Sequence, residues 1–473
     1  MISFKNLTIE KAHQGFLNKE FTCRQLTEEY LKVIKEKNPL INAYLEVFDD
    51  ALEAAESADK RFTDGTATLF TGIPFAIKDN ILIKGHIASS ASKILANYKA
   101  SYDATVIEKL KKEGAVFLGR TNMDEFAMGV STENSAYGVT KNPWDTTRVP
   151  GGSSGGSTAA IAMNGALVAL GTDTGGSCRQ PASFCGVVGL KPTYGSVSRN
   201  GLTAMGSSLD IVGPIGKTVA DVEAVFNLIK GRDDMDSTSI PVDFYKIKKI
   251  SKPVIGVPQD FIKEGVDKEV LANFEETLNK LKNAGYEIKN ISLPYVKYAV
   301  PAYYIVTPAE ISANLARFDG IRYGQNKEGE NLHEVYMKSR GVGFGREVRR
   351  RILLGTYVLS HGYFDAYYNK ATAIRSLIIN DYEQAFKEVD FILTPTTTGP
   401  AFKIGEKVSD PVKMYLEDIF TGPANMAGLP AISIPSGFVE VEGKKLPLGI
   451  QFMAPHGGED SLFEIGKRFE EIN

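Results

Sequence analysis

Residues 151–193, GGSSGGSTAAIAMNGALVALGTDTGGSCRQPASFCGVVGLKPT, contain two Gly/Ser clusters, 151–157 and 175–177. Between them runs an apolar stretch long enough for a helix and a buried strand. Glycine lets the backbone approach a ligand and present its N–H groups, because no Cβ intervenes. Serine hydroxyls become nucleophiles once a base removes their protons. A single cluster of this kind reads as a flexible loop. Two clusters, returned to the same edge of a sheet by a packed unit, read as halves of one active site.

The base is the next question. The chain has five histidines, His13, His86, His333, His361 and His456. Gly152-x-Ser154-x-Gly156 matches the G-x-S-x-G elbow, which needs a strand running into the serine. Here the approach is NPWDTTRVP, with Pro150 two residues before Gly152, so no strand feeds the turn. Ser90-x-x-Lys93 lacks the S-D-N and K-T-G partners of penicillin-binding enzymes, and neither cluster matches the phosphate-binding G-x-x-x-x-G-K-[ST]. Lysine is the other base available. Lys78 stands alone in the apolar run 72–83, GIPFAIKDNILI, where burial can lower its pKa toward neutrality. Taken alone, such a lysine more often snorkels from a strand end.

Lys78, GGSSGGS (151–157) and GTDTGGSCRQPASFCGVVGLKPT (171–193) together resemble the amidase signature family, whose enzymes use a Ser–cis-Ser–Lys triad; Ser153 lies 24 positions before Ser177, the spacing that motif has. The resemblance implies that Ser177 is the nucleophile, Ser153 the bridging serine in a cis peptide, and Lys78 the base. It assigns the oxyanion to the backbone N–H groups of Thr174, Gly175, Gly176 and Ser177. Ser154 and Arg179 match auxiliary positions that hydrogen-bond around the triad, and Asp173 reads as orienting the loop. Cys178 departs from the family pattern, which usually has Ile or Val there, and reads as packing. The implied fold is α/β, a single large domain over 1–473 with its signature core at about 70–200. A mixed central sheet would be covered by helices on both faces, and the C-terminal half would complete a substrate pocket and a partner surface.

The flanking stretches narrow the resemblance to one branch of that family. DSTS (236–239), RFDGIRYG (317–324), FGREVRRRILLGTY (344–357), MYLEDIFTGPANMAGLPAISIPSGF (414–438) and PLGIQFMAP (447–455) resemble the glutamine-hydrolysing A subunits of tRNA-dependent amidotransferases. That implies a glutaminase passing ammonia to a B subunit, which converts Glu-tRNA(Gln), and possibly Asp-tRNA(Asn), to the amide. The whole is a ligase, a heterotrimer with a small C subunit, and misacylated tRNA is bound mainly by the partner. ATP and Mg2+ belong to the partner; no cofactor or metal is expected in this chain. Arg351 matches the position that takes the α-carboxylate of glutamine, and Asp418 the one that takes its α-ammonium. Tyr303 or Tyr304 would supply a hydroxyl, the choice staying open. Against this, Arg349–Arg351 form a basic helical run, and most arginines in such runs face solvent. RFDGIRYG reads as a turn or a partner surface. The competing readings are a stand-alone amidase acting on small aliphatic or aryl amides, a non-catalytic scaffold, and a histidine-triad esterase using Ser154.

These residues have to be positioned by a regular framework. Thr22-x-x-Gln25 has capping-box spacing ahead of the stripe Leu26, Tyr30, Val33 and Ile34. Helices are predicted near 49–61, 106–114, 218–229, 268–284 and 303–318, and over 347–386 with breaks near Gly355 and Gly362. Strands are predicted within 72–83 and at 115–119, 254–258, 390–396, 431–435 and 448–455. Alternation of the two implies one large sheet. The 473 residues are 43% hydrophobic and 23% charged, ordinary for a soluble enzyme. A net charge of −3 gives no broad field for nucleic acid or anionic membrane. Three cysteines, Cys23, Cys178 and Cys185, form no disulfide framework or zinc pattern. With no apolar leader or transmembrane run, a soluble, cytoplasmic chain is expected.

Overall fold

The computed structural model describes residues 2–4, 6–241, 244, 253–262 and 265–473. Eleven strands form one mixed sheet: β1 (Tyr44–Val47), β2 (Pro74–Lys78), β3 (Val116–Thr121), β4 (Val168–Asp173), β5 (Val188–Lys191), β6 (Ile211–Gly216), β7 (Val254–Val257), β8 (Glu287–Asn290), β9 (Phe391–Pro395), β10 (Ala431–Val441) and β11 (Lys444–Met453). Their order is β1-β3-β2-β4-β6-β5-β10-β11-β9-β7-β8. Two parallel clusters, β3-β2-β4 and β9-β7-β8, flank an antiparallel middle. β2, β3, β4, β5, β6 and β9 are buried at every position, so both faces of the sheet are covered. Helix Gly155–Ala162 packs on β2 and β4, and helix Val219–Ile229 on β5 and β6. Among the described residues no helix is long and apolar enough to cross a membrane.

The local signals act as their chemistry requires. Thr22 caps helix Cys23–Ile41 with a reciprocal capping box to Gln25, and Leu26, Tyr30 and Ile34 are buried. Thr218 caps Val219–Ile229 through its hydroxyl. Gly355, in contrast, does not break its helix: Arg346–Val358 runs straight through it. A Cβ there would lie 1.8 Å from the Pro308 carbonyl oxygen, so the glycine allows close approach of helix Ala299–Asn314. The break falls after Val358, and Gly362 has φ +82°. The predicted strands at 431–435 and 448–455 are parts of a longer hairpin, β10–β11, closed by the two-residue turn Glu442-Gly443, both at positive φ. Its outer portion is exposed and therefore lacks the apolar signature of a core strand. β1, β5, β6 and β8 are strands the apolar runs did not mark.

This topology sets the site. β2 and β4 are parallel neighbours with Ile77 opposite Leu170, so Lys78 and Thr172 emerge together at the carboxyl edge of the sheet. β4 then feeds the loop 174–178 and helix Arg179–Cys185. Helix Gly155–Ala162 starts directly after the Ser153–Ser154 turn, and residues 150–154 contain no strand.

Candidate active site

Lys78 is wholly buried, and its Nζ lies 2.8 Å from each of Ser153 Oγ, Ser154 Oγ and Thr172 Oγ1. Burial pushes its pKa down to about 8, against the opposing pull of Cys178, Asp124, Asp173 and Asp210. The hydroxyls are not equivalent. Ser154 Oγ donates to the Thr172 carbonyl at 3.1 Å, so toward Lys78 it accepts. Ser153's own proton has no such commitment, and a neutral Lys78 can receive it. The Gly152–Ser153 peptide is cis. The Ser154 N–H donates to the Ser177 carbonyl at 3.2 Å, fastening the two serine loops together. Ser177 is 7% exposed while Ser153 and Ser154 are at 0%, making it the serine open to an incoming molecule. No histidine hydrogen-bonds Lys78 or any of these serines among the described residues, and Ser154, buried and without a preceding strand, is not an elbow nucleophile.

The loop leading to Ser177 is held by Asp173. Its carboxylate accepts from Gly176 N at 2.9 Å and from Cys178 N at 3.1 Å, bracketing Ser177. Arg179, fully buried, meets the same carboxylate through Nε and Nη2, both at 3.1 Å. Burial alone would raise the Asp173 carboxyl, but the guanidinium beside it holds its pKa at about 2. Gly176 is therefore a correction: its N–H is committed to Asp173 and is not offered to an oxyanion. Thr174, Gly175 and Ser177 are the remaining donors of that loop. Arg179 acts on the loop rather than on the lysine or the serine hydroxyls.

A second cluster faces the loop from the C-terminal half. Thr421 Oγ1 donates to the Gly175 carbonyl at 2.8 Å, and the Tyr303 ring lies where a Cβ on Gly175 would go. Tyr304 donates to Asp418 Oδ2 at 3.0 Å and stacks on Tyr415 with centroids 3.8 Å apart. Arg351 lies 5.2 Å from the Tyr304 ring and 5.5 Å from that of Tyr415, and its Nε donates to Glu347 Oε1 at 2.9 Å. Helix Arg346–Val358 buries Val348, Arg351, Gly355 and Val358, a helical stripe that turns Arg351 inward while Arg349 faces solvent. Burial would lower the Arg351 pKa, but Tyr304 and Glu347 raise it, so the group stays charged. Burial lifts the Asp418 carboxyl to about 7 against the Tyr304 hydroxyl and Arg351. A cleft lined by Val130, Ser131, Tyr304, Glu347, Arg351 and Tyr415 opens over this cluster. The arrangement thus pairs a protonatable amine and an accessible hydroxyl with one buried cation and one buried carboxyl.

The family model Amidase matches residues 25–463. The chain belongs to the amidase family. This amidase is 50% identical over 475 residues to the A subunit of glutamyl-tRNA(Gln) amidotransferase from Thermoanaerobacter pseudethanolicus, across 99% of this chain and 96% of that one. It is 49% identical to the protein of the same name from Microcystis aeruginosa, across 98% and 97%. Its fold is similar to the crystal structure of the A subunit of glutamyl-tRNA(Gln) amidotransferase from Thermotoga maritima, with a TM-score of 0.80, 40% identity, and 100% and 96% coverage. A peptide amidase structure has a TM-score of 0.81 at 28% identity, covering 99% of this chain and 98% of that one.

Several residues around this amidase site were not singled out from sequence. Thr172 is a third oxygen on Lys78. Asp124 accepts from Thr132 N at 2.9 Å and Ser131 N at 3.3 Å, and lies against Gly152. Asn425 Nδ2 donates to Asp173 Oδ1 at 2.9 Å while its Oδ1 accepts from Arg179 Nη2. Glu347 and Tyr415 fix Arg351. The signal available for Asp124 was a carboxylate shortly after the predicted strand at 115–119, with Glu125 beside it; for Asn425 there was none.

Proposed function

We propose that this amidase is the glutamine-hydrolysing A subunit of a tRNA-dependent amidotransferase, with Lys78, Ser153 and Ser177 carrying the hydrolysis. The observation behind this is Lys78: a wholly buried amine with its pKa near 8, within hydrogen-bond reach of a serine whose proton is uncommitted. Neutral Lys78 takes the Ser153 proton as Ser153 takes that of Ser177. Ser177 Oγ then attacks the γ-carboxamide carbon of glutamine, and the charge growing on its oxygen meets N–H groups of Thr174, Gly175 and Ser177. The C–N bond breaks as the leaving nitrogen regains a proton from Lys78 through Ser153. Ammonia departs and a γ-glutamyl ester remains on Ser177. Water, deprotonated by the same relay, releases glutamate.

Arg351 and Asp418 give the reading its substrate. The two do not pair with each other; Arg351 is engaged through Nε, which leaves its terminal nitrogens for an α-carboxylate. Asp418 as a carboxylate receives the α-ammonium, with Tyr304 on the same carboxylate and Tyr303 against the Gly175 loop. Ammonia passes to a B subunit that amidates Glu-tRNA(Gln), or Asp-tRNA(Asn), using ATP and Mg2+, with a C subunit completing a cytoplasmic heterotrimer. Relatives about half identical over nearly the whole chain carry the amidotransferase name, and the near-neutral charge suits a protein that leaves tRNA to its partner.

The second reading, a stand-alone amidase, is favoured by the likeness to a peptide amidase. Ammonia release from glutamine, measured for the chain alone and after co-expression with B and C subunits, separates the two. The proposal expects glutamine turnover that depends on the co-purified complex. Full turnover of simple amides by the chain alone, with no preference for glutamine, would point to the second reading.

A further inference from the structure

Asp124 and Glu125 are adjacent, buried, and bonded to opposite sides of the site. Asp124 holds the serine side: its N–H donates to the Ser153 carbonyl at 3.3 Å, and its carboxylate collects Ser131 N, Thr132 N and Asn134 N. Thr132 Oγ1 in turn donates to the Gly151 carbonyl at 2.7 Å. Glu125 holds the other side. Its Oε2 accepts from Gly345 N at 2.9 Å, and its Oε1 accepts from the Ser92 hydroxyl, whose oxygen lies 3.2 Å from the Gly343 carbonyl. Gly345 is the N-cap of helix Arg346–Val358 and has no side chain to offer the first-turn N–H groups; Glu125, 220 residues away, accepts from the N–H of that N-cap residue and so fixes where the helix starts.

The next residue strengthens the tie. Phe126 packs on Phe344 and Phe318, at 5.7 and 5.1 Å between centroids, and its N–H donates to the Ser90 carbonyl. Phe126 and Ala127 have φ +49° and +62°, and Ser90 and Ala91 both have +50°. Four residues with side chains held in the left-handed region, in two segments that touch, require surroundings that fix them. Residues 124–126 therefore form a strap from the Ser153 turn to the start of the helix that carries Glu347 and Arg351.

We infer that Glu125 is a positioning residue: by holding the N-cap residue of helix Arg346–Val358 from the segment that also holds the Ser153 turn, it sets where Arg351 lies relative to the serines. It touches neither the reacting serines nor the cleft. The inference rests on the proposal that Arg351 receives the carboxylate of glutamine.

The test compares the co-purified complex with its Glu125→Ala and Glu125→Gln variants. Substrates are glutamine and γ-aminobutyramide, which is glutamine without its carboxylate. The second readout is backbone hydrogen exchange over residues 345–351. Glu125→Ala should raise KM for glutamine about tenfold or more while kcat stays within about threefold, and leave kcat/KM for γ-aminobutyramide nearly unchanged. Exchange at 345–348 should quicken, and Glu125→Gln, retaining one carbonyl acceptor, should recover most of both effects. Equal losses on both substrates, or no loss on either, would overturn the inference. If the parent complex hydrolyses γ-aminobutyramide but not glutamine, the functional proposal has failed; unchanged exchange at 345–348 in Glu125→Ala would then still refute the strap, and faster exchange uphold it. Should Glu125→Ala not fold, Ser92→Ala, which frees Oε1, must shift the same readouts in the same direction or the inference falls.

Discussion

Lys78 Nζ and Ser153 Oγ are 2.8 Å apart with both residues wholly buried, joining the end of β2 to a turn 75 residues further along the chain. The contact puts an amine, not an imidazole, beside a buried serine hydroxyl, and the proposed mechanism draws its base from it. The sheet creates it, because parallel β2 and β4 deliver Lys78 and Thr172 to one edge while the Ser154 N–H pins the neighbouring turn to Ser177.

The pH dependence follows from that burial. As the proposed base Lys78 must be neutral, so kcat/KM should climb as pH rises through about 8. Lys78→Ala should lose that limb and about four to six orders of magnitude in kcat, the loss seen when a member of the analogous Ser-His-Asp triads is removed. Stability moves in the same direction. The folded value lies below the 10.5 of free lysine, so between the two the unfolded chain binds more protons and folding gains as pH rises. Denaturant unfolding across that window should show the gain, and Lys78→Met should flatten it.

Arg351→Met should act on glutamine selectively. Removing one partner of a buried charged pair costs about 2–5 kcal/mol, which would cut kcat/KM for glutamine at least about thirtyfold. Steady-state kinetics should put most of that loss in KM. A small amide without a carboxylate should lose far less. Parallel losses on both substrates would remove Arg351 from the substrate site.

Asp418 provides an independent titration. Its carboxyl, raised to about 7 by burial, must ionise to hold an ammonium, so KM for glutamine should fall as pH rises through about 7. Asp418→Asn should abolish that dependence. Tyr304→Phe deletes the 3.0 Å hydrogen bond to the carboxylate, a contribution of about 1.5–3 kcal/mol, and should move the limb to higher pH.

Cys178 should be chemically silent. Burial, followed by the charge of Asp173, pushes its thiol up to about 12, and its Sγ lies 3.7 Å from the Gly213 carbonyl. Alkylation by iodoacetamide at neutral pH should reach it only after unfolding. Cys178→Val should keep activity within about twofold, as expected of a near-isosteric packing change.

The parts of this site legible in sequence were those whose chemistry is local. The Gly/Ser clusters and the solitary Lys78 announce themselves because apolar runs surround them. Which of Tyr303 and Tyr304 reaches Asp418 was not legible: neighbours on a helix point about 100° apart, and only packing fixes the rotation. Nor was the commitment of Gly176 N to Asp173, since a glycine loop carries no mark of which N–H groups it spends internally. Asn425 joins Asp173 across 252 residues, a separation no motif spans. Gly355 looked like a helix break because propensity counts its missing side chain as a cost, whereas here that absence admits the Pro308 carbonyl.

The central claim is that Ser177 is acylated by the side chain of glutamine with Lys78 as base. Rapid acid quench of the complex turning over glutamine, followed by intact and peptide mass spectrometry, addresses it directly. The account predicts a γ-glutamyl adduct confined to Ser177, absent in Ser177→Ala and greatly slowed in Lys78→Ala. Undiminished glutamine hydrolysis by Ser177→Ala, or an adduct on Ser154 or Cys178, would contradict it.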